Sequence, residues 1–378
     1  MQDTTRATRF IGLDVSKKTI AVAIADEGRE KARYYGGVEN TPEKVRHLMK
    51  NLGPTEELLV CYEAGPTGYG LYRQLTRMGI ACMVVAPSLI PHRAGDRVKT
   101  DRRDALRLAE LLRAGELTPV WVPGEGDEAL RDLVRAREDA VSDRLRARHR
   151  LSKFLLRHDL RPLGKIMAWT SAHRQWLDTL HLDGPKGAVL REYLHAIDEI
   201  QGRIDRLDQE IHQVAETCDR APVIRALQAL RGVQEVTAAT LVAEVGEFSR
   251  FKSATQLMAY AGVVPKERSS GEGRWQGSIT KTGNAHLRRI TGEAAFAYRH
   301  QPATGARLRK RQEGLTADVI EIAWNAQVRL HGKYVRLSMR GKGGGVTATA
   351  VARELLGFIW AIGCAVEAKN RGAQAAAA

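Results

Sequence analysis

Cysteine is scarce in this sequence, and no two of its four cysteines are near neighbours along the chain. This spacing excludes a Cys-x-x-Cys zinc or redox motif, so we expect reduced, buried thiols in a cytosolic protein. The chain also lacks a GxxxxGK(S/T) phosphate loop, and therefore no ATP-dependent chemistry is indicated.

Signal-peptide and membrane-spanning patterns are missing as well. Residues 1–9 are polar and lack the apolar run of a signal peptide. The apolar segment at residues 355–366 is shorter than the roughly 20 residues that cross a bilayer, so it predicts a buried core helix. We therefore expect a cytoplasmic protein without a membrane partner.

Acidic residues are too few to balance the basic ones. The 44 Asp and Glu stand against 59 Lys and Arg, which leaves a net charge of +15. This charge favours a polyanionic partner, most simply nucleic acid. A ribosomal-type protein, a membrane-surface protein and a charge that serves only solubility are the alternatives. The 378 residues, of which 43% are apolar, suffice for two or three domains with sizeable cores.

The first part of the chain alternates between strand and helix patterns. Residues 10–25 contain two alternating bursts that predict a β-hairpin, and a third strand is expected near residues 32–35. Helix, strand, helix and strand patterns follow, and an amphipathic helix at residues 102–113 completes them. This order predicts an α/β domain with a mostly parallel core over residues 1–122.

Two long helical patterns, at residues 127–158 and 187–217, follow a loop rich in proline and glycine. The first is rich in arginine. The second has apolar residues at nearly heptad spacing, which predicts a helical hairpin or a coiled coil. We therefore assign residues 123–220 to a helical, coiled-coil linker domain with an irregular segment between its helices. The heptad-like residues are Leu190, Leu194, Ile197, Ile204, Leu207 and Ile211.

The last part of the chain, residues 221–370, has mostly helical patterns. Gly232 separates two helical stretches, as in a helix-hairpin-helix element that presents amides to a phosphate or as in an ordinary helix turn. A loop is expected at residues 263–277, before a basic stretch. The final residues, 371–378, have low complexity and are expected to be disordered.

Four carboxylates fall where predicted strand ends meet the start of a predicted helix. Asp14 lies near the end of the first strand, Glu63 ends a later strand, and Asp101 and Asp104 begin the amphipathic helix. Strand ends and the helix starts that follow them converge at one edge of a parallel sheet, and residues at i and i+3 share a helix face. Clustered carboxylates require a cation, and oxygen ligands favour Mg²⁺ or Mn²⁺. The pattern therefore predicts a metal site for phosphodiester chemistry.

Each carboxylate also has a simpler interpretation. Asp101 and Glu63 could cap helices, and Asp104 could be a solvent-facing helix residue. Acids at strand ends within apolar runs are less common, which favours a role for Asp14 and Glu63. The coincidence of all four at one predicted edge favours the metal site.

Three segments around these acids, IGLDVSKKTIAVAIAD, CYEAGPTGYG and VKTDRRDALRLAELL, resemble the DEDD transposases of bacterial insertion sequences. This group includes the pilin-gene invertase and the insertion-sequence family one hundred and ten, the bridge-RNA-guided recombinases. The segment FKSATQLMAYAGVVPKERSSGEGRWQGSITKTGNAHLRRI is similar to their C-terminal transposase domain, and RGKGGGVTATAVARELLGFIWAI is similar to its closing helix. Residues 127–220 match only as a generic helical linker.

The resemblance implies a RuvC-like, ribonuclease H-type fold for residues 1–122 and a catalytic transposase domain at residues 221–370. The four acids would be the family's metal ligands. Ser270 would be its catalytic serine, with the neighbouring Ser269 as the alternative. The implied reaction is attack on a DNA phosphodiester, a covalent phosphoserine intermediate, strand exchange and religation.

Basic residues surround the predicted serine loop, and two arginines separate Asp101 from Asp104. They are predicted to hold phosphates, and Asn284 to bond a backbone or a base edge, although each basic residue could equally be part of a solvated face. The arginine-rich helix at residues 131–150 could bind RNA or DNA, or be a charged surface. The predicted nucleic-acid-binding residues are Arg102, Arg103, Lys266, Arg268, Arg274, Lys281, Asn284, Arg288 and Arg289.

The sequence as a whole predicts a recombinase that acts on donor and target DNA at the bacterial nucleoid. The resemblance further implies a noncoding bridge RNA as partner. It also implies dimers and tetramers in which the serine domain of one subunit meets the metal domain of another. The alternatives are an invertase without an RNA guide, a Holliday-junction-type nuclease that uses water, and a non-catalytic nucleic-acid-binding protein.

Overall fold

The computed structural model describes residues 7–91, 100–162, 164–270 and 273–377. The chain divides into two compact units, Met1–Val122 and Pro123–Ala378. Each unit has its own hydrophobic core. The first unit is mixed α/β and the second is mostly helical, so the predicted fold class is confirmed at this level. A separate linker domain at residues 123–220 stays a prediction.

A five-stranded sheet forms the centre of the first unit. Its strands are β1 (Arg9–Val15), β2 (Thr19–Asp26), β3 (Arg33–Glu39), β4 (Leu58–Glu63) and β5 (Ala81–Val85), in the order β3-β2-β1-β4-β5. β4 pairs in parallel with β1 and β5, whereas β2 pairs antiparallel with β1 and β3. The core is therefore mixed rather than mostly parallel, because the short turn between β1 and β2 permits only an antiparallel return.

Three α-helices lie in the described part of the first unit, and two of them begin at a side-chain cap. They are α1 (Pro42–Leu52), α2 (Gly70–Arg77) and α3 (Asp101–Arg113). Thr41 caps α1, since its hydroxyl accepts a hydrogen bond from the Lys44 amide. Thr100 caps α3 in the same way, which leaves Asp101 in the first turn rather than at the cap position.

Small residues let α3 pack directly on the sheet. A Cβ atom on Gly12 of β1 would lie 2.3 Å from the Ala105 carbonyl oxygen and 2.4 Å from the Ala109 amide nitrogen. Alanines at positions 21, 23 and 25 of β2 pack against Ala105 and Ala109. A larger side chain at position 12 would push the helix off the strand.

An antiparallel helix pair opens the second unit. The helices α4 (Glu125–Arg157) and α6 (Gly184–Thr217) lie side by side, with α5 (Ser171–Asp178) in the connection. Arg137 bonds Asp208 near one end, and Phe154 packs with Tyr193 near the other. The buried residues of α6 recur every seven residues, at Leu190, Ile197, Ile204 and Ile211. The predicted helical hairpin is thus present, although the connection that was expected to be irregular contains α5.

The rest of the second unit packs around a large apolar core. Gly232 has a φ of +80° and turns the chain between α7 and α8, close to the Ala294 carbonyl. The loop predicted at residues 263–277 is instead a hairpin of β6 and β7, because its two arms pair across the turn. The elements are α7 (Ala221–Leu227), α8 (Glu235–Val245), α9 (Ala254–Tyr260), β6 (Pro265–Ser270), β7 (Gly273–Ile279), α10 (Ala285–Ala295), α11 (Ala306–Gln312), α12 (Ala317–Met339) and α13 (Gly344–Ala377).

The closing helix α13 is a core element. Its stretch Gly344–Ala373 is long and apolar enough to cross a membrane. However, its apolar residues Val351, Leu355, Leu356 and Ile359 are fully buried in the core of the second unit. The helix also continues to Ala377 where a disordered tail is expected, because the alanine-rich end favours helix strongly.

Candidate active site

The register of two parallel strands brings two of the predicted acids together. Leu13 of β1 lies beside Tyr62 of β4. The next residues, Asp14 and Glu63, therefore lie side by side where the two strands end. Neighbouring strands are about 4.8 Å apart, so the two backbones are close enough for their carboxylates to share a ligand.

Both acids lie on the face of the sheet that α3 covers. Two residues earlier, Gly12 lies against α3, and the Cys61 Sγ donates to the Leu108 carbonyl at 3.6 Å. Side chains alternate along a strand with a period of two. The strand-end acids consequently share the α3 face with Gly12 and Cys61, and both are partly exposed.

The direction of α3 places its own acids at the same end of the sheet. Arg113, at the last turn, donates to the carbonyls of Asp26 at 3.0 Å and Glu30 at 2.6 Å. Asp26 pairs with Arg9 at the start of β1, so α3 runs antiparallel to β1. Asp101 lies one turn before Ala105, which rests on Gly12, and therefore lies at the level of Asp14.

The four acids thus belong to one end of one layer, but they do not form a closed ligand group. Within residues 7–91, 100–162, 164–270 and 273–377, no three His, Cys, Asp or Glu side chains are close enough to hold a metal ion. Like charges repel, so carboxylates at this spacing would close only around a cation. The four-ligand site stays a prediction.

The residue types suit a divalent cation nevertheless. All four groups offer hard carboxylate oxygens, which Mg²⁺ and Mn²⁺ prefer. Asp101 is exposed and Asp104 is half-buried, so both are reachable from solvent. The residues that could hold such an ion are Asp14, Glu63, Asp101 and Asp104.

Two predicted nucleic-acid-binding arginines lie beside these acids. Arg102 and Arg103 are exposed in the first turn of α3. The Arg102 guanidinium lies over the Tyr34 ring, 5.3 Å from its centroid. Their exposure next to the acids is compatible with a phosphate contact, which stays a prediction.

A basic cleft lies on the other face of the same sheet, between α1 and α2. It has a volume of about 380 Å³ and reaches Val15, the residue after Asp14. Arg46 and Arg77 line it, and both are exposed without a carboxylate partner in the described part of the chain. Sequence reasoning missed them because each is a lone basic residue on an amphipathic helix.

Two side-chain amides in the lining of this cleft bond backbone carbonyls of the chain. Asn40 donates to the Ser16 carbonyl at 2.8 Å, and Gln74 donates to the Pro42 carbonyl at 2.8 Å. These amides are engaged within the chain, and the exposed Arg46 and Arg77 supply the positive charge at the cleft. A nucleic-acid phosphate is an anion of suitable charge for such a pair.

The predicted catalytic serine lies in the second unit, at the tip of the hairpin. Ser270 ends β6 and pairs with Gly273, and Ser269 pairs with Arg274. Gly271 and Glu272 lie outside the described residues, as do the side chains of Arg268, Ser269, Ser270 and Arg274. The catalytic role of Ser270, with Ser269 as the alternative, therefore stays a prediction.

The base of the hairpin is fastened to α9 and α10. The Lys281 amide donates to the Gly262 carbonyl at 3.0 Å, and the Asn284 amide donates to the Tyr260 carbonyl at 2.8 Å. Gly283 has a φ of +115°, and a Cβ atom there would lie 2.2 Å from the Tyr260 carbonyl oxygen. Only glycine fits this crossing, which fixes where the hairpin leaves the core.

A buried carboxylate supports the same base. The side chain of Glu244 is fully buried and accepts hydrogen bonds from Arg135 at 2.8 and 3.0 Å and from Asn284 at 2.6 Å. Burial alone raises the pKa of Glu244, but these hydrogen bonds outweigh it and hold the pKa below its ordinary value. The group is therefore a charged structural support.

A second network uses residues that were predicted to bind nucleic acid. Glu138 accepts from Arg289 at 2.6 Å and lies 2.8 Å from the His286 ring. Arg289 also bonds Glu293, and Arg288 donates to the Ala261 carbonyl at 2.9 Å.

These contacts change how the predicted basic residues are interpreted. Asn284 caps α10 through its oxygen and bonds Glu244 through its nitrogen, so both ends of its amide are used within the chain. Arg288 and Arg289 are likewise engaged inside the unit. Lys266 and Lys281 are exposed, which leaves them as the better candidates for phosphate contact.

Two family models match the chain. A model of DEDD type, described as a transposase, matches residues 11–158, which carry all four acids. A second model, described as the transposase IS116/IS110/IS902 family, matches residues 224–309, which carry Ser270. The matches define the class of the protein as a transposase, an enzyme that cuts and rejoins DNA.

Similar proteins agree over most of the chain. The protein y4qE of Sinorhizobium fredii is 46% identical over 93% of this chain and 88% of its own length. The transposase for insertion sequence element IS1533 of Leptospira borgpetersenii is 31% identical over 88% of this chain and 97% of its own. The pilin gene-inverting protein of Moraxella bovis is 26% identical over 74% and 79%, respectively. The chain belongs to the IS110/IS116 family of insertion-sequence transposases.

Proposed function

We propose that this transposase cuts and rejoins DNA with a divalent metal at the four acids and a covalent phosphoserine at Ser270. The observation that carries the proposal is the convergence of Asp14 and Glu63 at adjacent strand ends, beneath the first turn of α3. The strand order and the acids at the ends of β1 and β4 also support a RuvC-like, ribonuclease H-type fold for the first unit.

The acids and the serine have separate roles in this reaction. A bound Mg²⁺ or Mn²⁺ would neutralise charge on the reacting phosphate. The Ser270 hydroxyl gives up its proton, and its Oγ forms a bond to phosphorus. The bond from phosphorus to the leaving sugar oxygen breaks, and that oxygen takes up a proton.

The second half of the reaction reverses these bonds with a new strand. The sugar hydroxyl of the incoming strand attacks the phosphoserine and releases the serine hydroxyl. The number of phosphodiester bonds is conserved, so no nucleotide hydrolysis is needed. This agrees with the missing phosphate-loop motif in the sequence.

A trapped covalent adduct tests the serine. A DNA duplex with a nick near the reacting phosphate should give a protein–DNA adduct that survives denaturation, with wild type and with Ser269→Ala. Ser270→Ala should give none while binding DNA normally. Strand cleavage by both single variants without an adduct would contradict the proposal and favour a nuclease that uses water.

We further propose that a noncoding RNA guides the enzyme to donor and target DNA in the bacterial cytoplasm. The net charge of +15 and the arginine-rich α4 support a polyanionic partner such as RNA. Recombination should be lost after ribonuclease treatment and restored by the RNA transcribed from beside the gene. Full activity of RNA-free protein would overturn guidance.

DNA inversion is a second candidate function. It is favoured by the similarity to a protein whose name is pilin gene-inverting protein. A plasmid that carries two inverted recombination sites distinguishes the two products. Inversion of the intervening DNA without RNA would favour the invertase, whereas insertion at a new site would favour transposition.

A further inference from the structure

The helix α12 carries an apolar stripe that no described residue of the second unit covers. Trp324, Val328 and Met339 are 43%, 49% and 83% exposed. Together with Val335 they recur at spacings of four and seven residues, so they share one face of the helix. The opposite face is buried in the core of the unit through Val319, Ala323, Ala326 and Leu330.

Gly332 lies beside this stripe, and no contact with the described residues of the chain requires a glycine at this position. It does not have a positive φ, and a Cβ atom there would meet no heavy atom within 4 Å. Glycine weakens a helix interior relative to alanine, and it permits close approach of another backbone. The position therefore points to a partner outside the chain.

Charges at the two ends of α12 have opposite signs. Asp318 and Glu321 are exposed near its start, and Arg336 and Arg340 are exposed near its end. Neither arginine, nor Glu321, has an ion-pair partner within the described residues. The helix is thus complementary to a second copy of itself that runs in the opposite direction.

We propose that α12 forms the contact between two copies of the chain, as an antiparallel pair around a two-fold axis near Arg329. Trp324 then packs near the partner's Val335, and Gly332 lets the helices approach closely. Both acidic ends meet basic ends, whereas a parallel pair would place like charges together. This contact does not depend on the chemistry proposed above. The expected ion pairs join Asp318 to Arg340 and Glu321 to Arg336.

Nucleic acid and lipid are poorer occupants of this surface. The stripe is apolar along its middle. The first turn of α12 carries the acidic Asp318, which repels phosphates. A membrane surface would leave the acidic end and Gly332 without a role. A second copy accounts for the stripe, the glycine and the charges at once.

Charge reversal in the full-length protein tests the contact by sedimentation equilibrium without nucleic acid. Glu321→Arg and Arg336→Glu should each raise the dimer Kd by about tenfold or more, since a two-fold contact places every substitution in it twice. The double variant should return to within about threefold of wild type, because both pairs are restored with reversed sign. Arg309→Glu, on the exposed side of α11, is the matched control and should leave the Kd unchanged.

Gly332→Ala separates assembly from folding. Alanine should raise the thermal midpoint of the monomer, because it fits the helix, and should weaken the dimer, because its methyl group enters the contact. A wild-type protein that stays monomeric up to about 100 µM would overturn the proposal, as would single reversals without effect or a double variant weaker than either single one. If the reversals instead weaken DNA binding by a monomeric protein, the surface belongs to nucleic acid.

Discussion

At the scale of single residues, Gly12 decides how closely α3 can approach the strands that carry Asp14 and Glu63. Gly12→Ala introduces a Cβ atom that would lie 2.3 Å from the Ala105 carbonyl oxygen, so strand and helix must separate. We expect a loss of about 1–3 kcal/mol in unfolding free energy, and weaker metal binding with it. Urea unfolding measures the first quantity. Gly65→Ala, where the nearest atom is 3.9 Å away, is the matched control and should cost little.

A second prediction concerns Glu244 and the stability of the folded protein at acid pH. Its pKa is lowered in the folded state, so its contribution is present above its ordinary pKa of 4.5 and is lost as pH falls through the folded value. Glu244→Gln should cost about 3 kcal/mol at pH 7, because Arg135 is left without its charged partner, and should flatten the fall in stability below pH 4.5. Chemical denaturation between pH 3 and 7 checks this. An unchanged acid profile would rule it out, and exposed Glu210→Gln is the control.

Residue patterns alone could predict where the acids lie but not the partners of the basic residues. The positions of Asp14 and Glu63 near strand ends could be predicted because strand ends follow directly from alternation. Arg289 donates a hydrogen bond to Glu138, which lies 151 positions earlier in the chain. Asn284 donates one to Glu244, which lies 40 positions earlier. Local patterns contain no information about such distant partners.

At the scale of elements, the cleft between α1 and α2 supplies a test that is separate from the acids. Arg46→Ala with Arg77→Ala should weaken DNA binding about tenfold at physiological salt and lower the salt dependence of binding by about two charges. Fluorescence anisotropy over a salt series measures both quantities. Lys50→Ala, which changes another exposed residue of α1, is the control and should weaken DNA binding less. If Lys50→Ala weakens DNA binding as much as the double variant does, the cleft is not a specific contact.

Elements with strong periodicity were the most predictable. The strands of the first unit, α3 and the α4–α6 hairpin all follow from apolar spacing. The β6–β7 hairpin was predicted as a loop, because proline, serine and glycine obscured its alternation. Its pairing depends on the anchoring of both arms at α9 and α10, which only the folded chain provides.

At the scale of the whole molecule, the predicted site residues are divided between two compact units. The first unit carries the acids and the second carries the serine hairpin, and each has its own core. The reaction proposed above would need the acids and the serine to act on one phosphate. If the α12 contact forms, a dimer provides two sets of both groups.

The central claim is that the four acids together bind a divalent cation, and Mn²⁺ binding to the full-length protein tests it most directly. Calorimetric titration should show saturable binding by wild type and by Glu116→Gln, which changes an acid in the loop just after α3. Asp14→Asn and Asp101→Asn should each lower the affinity at least tenfold while thermal unfolding stays cooperative. Equal Mn²⁺ affinity in all four proteins would contradict the claim.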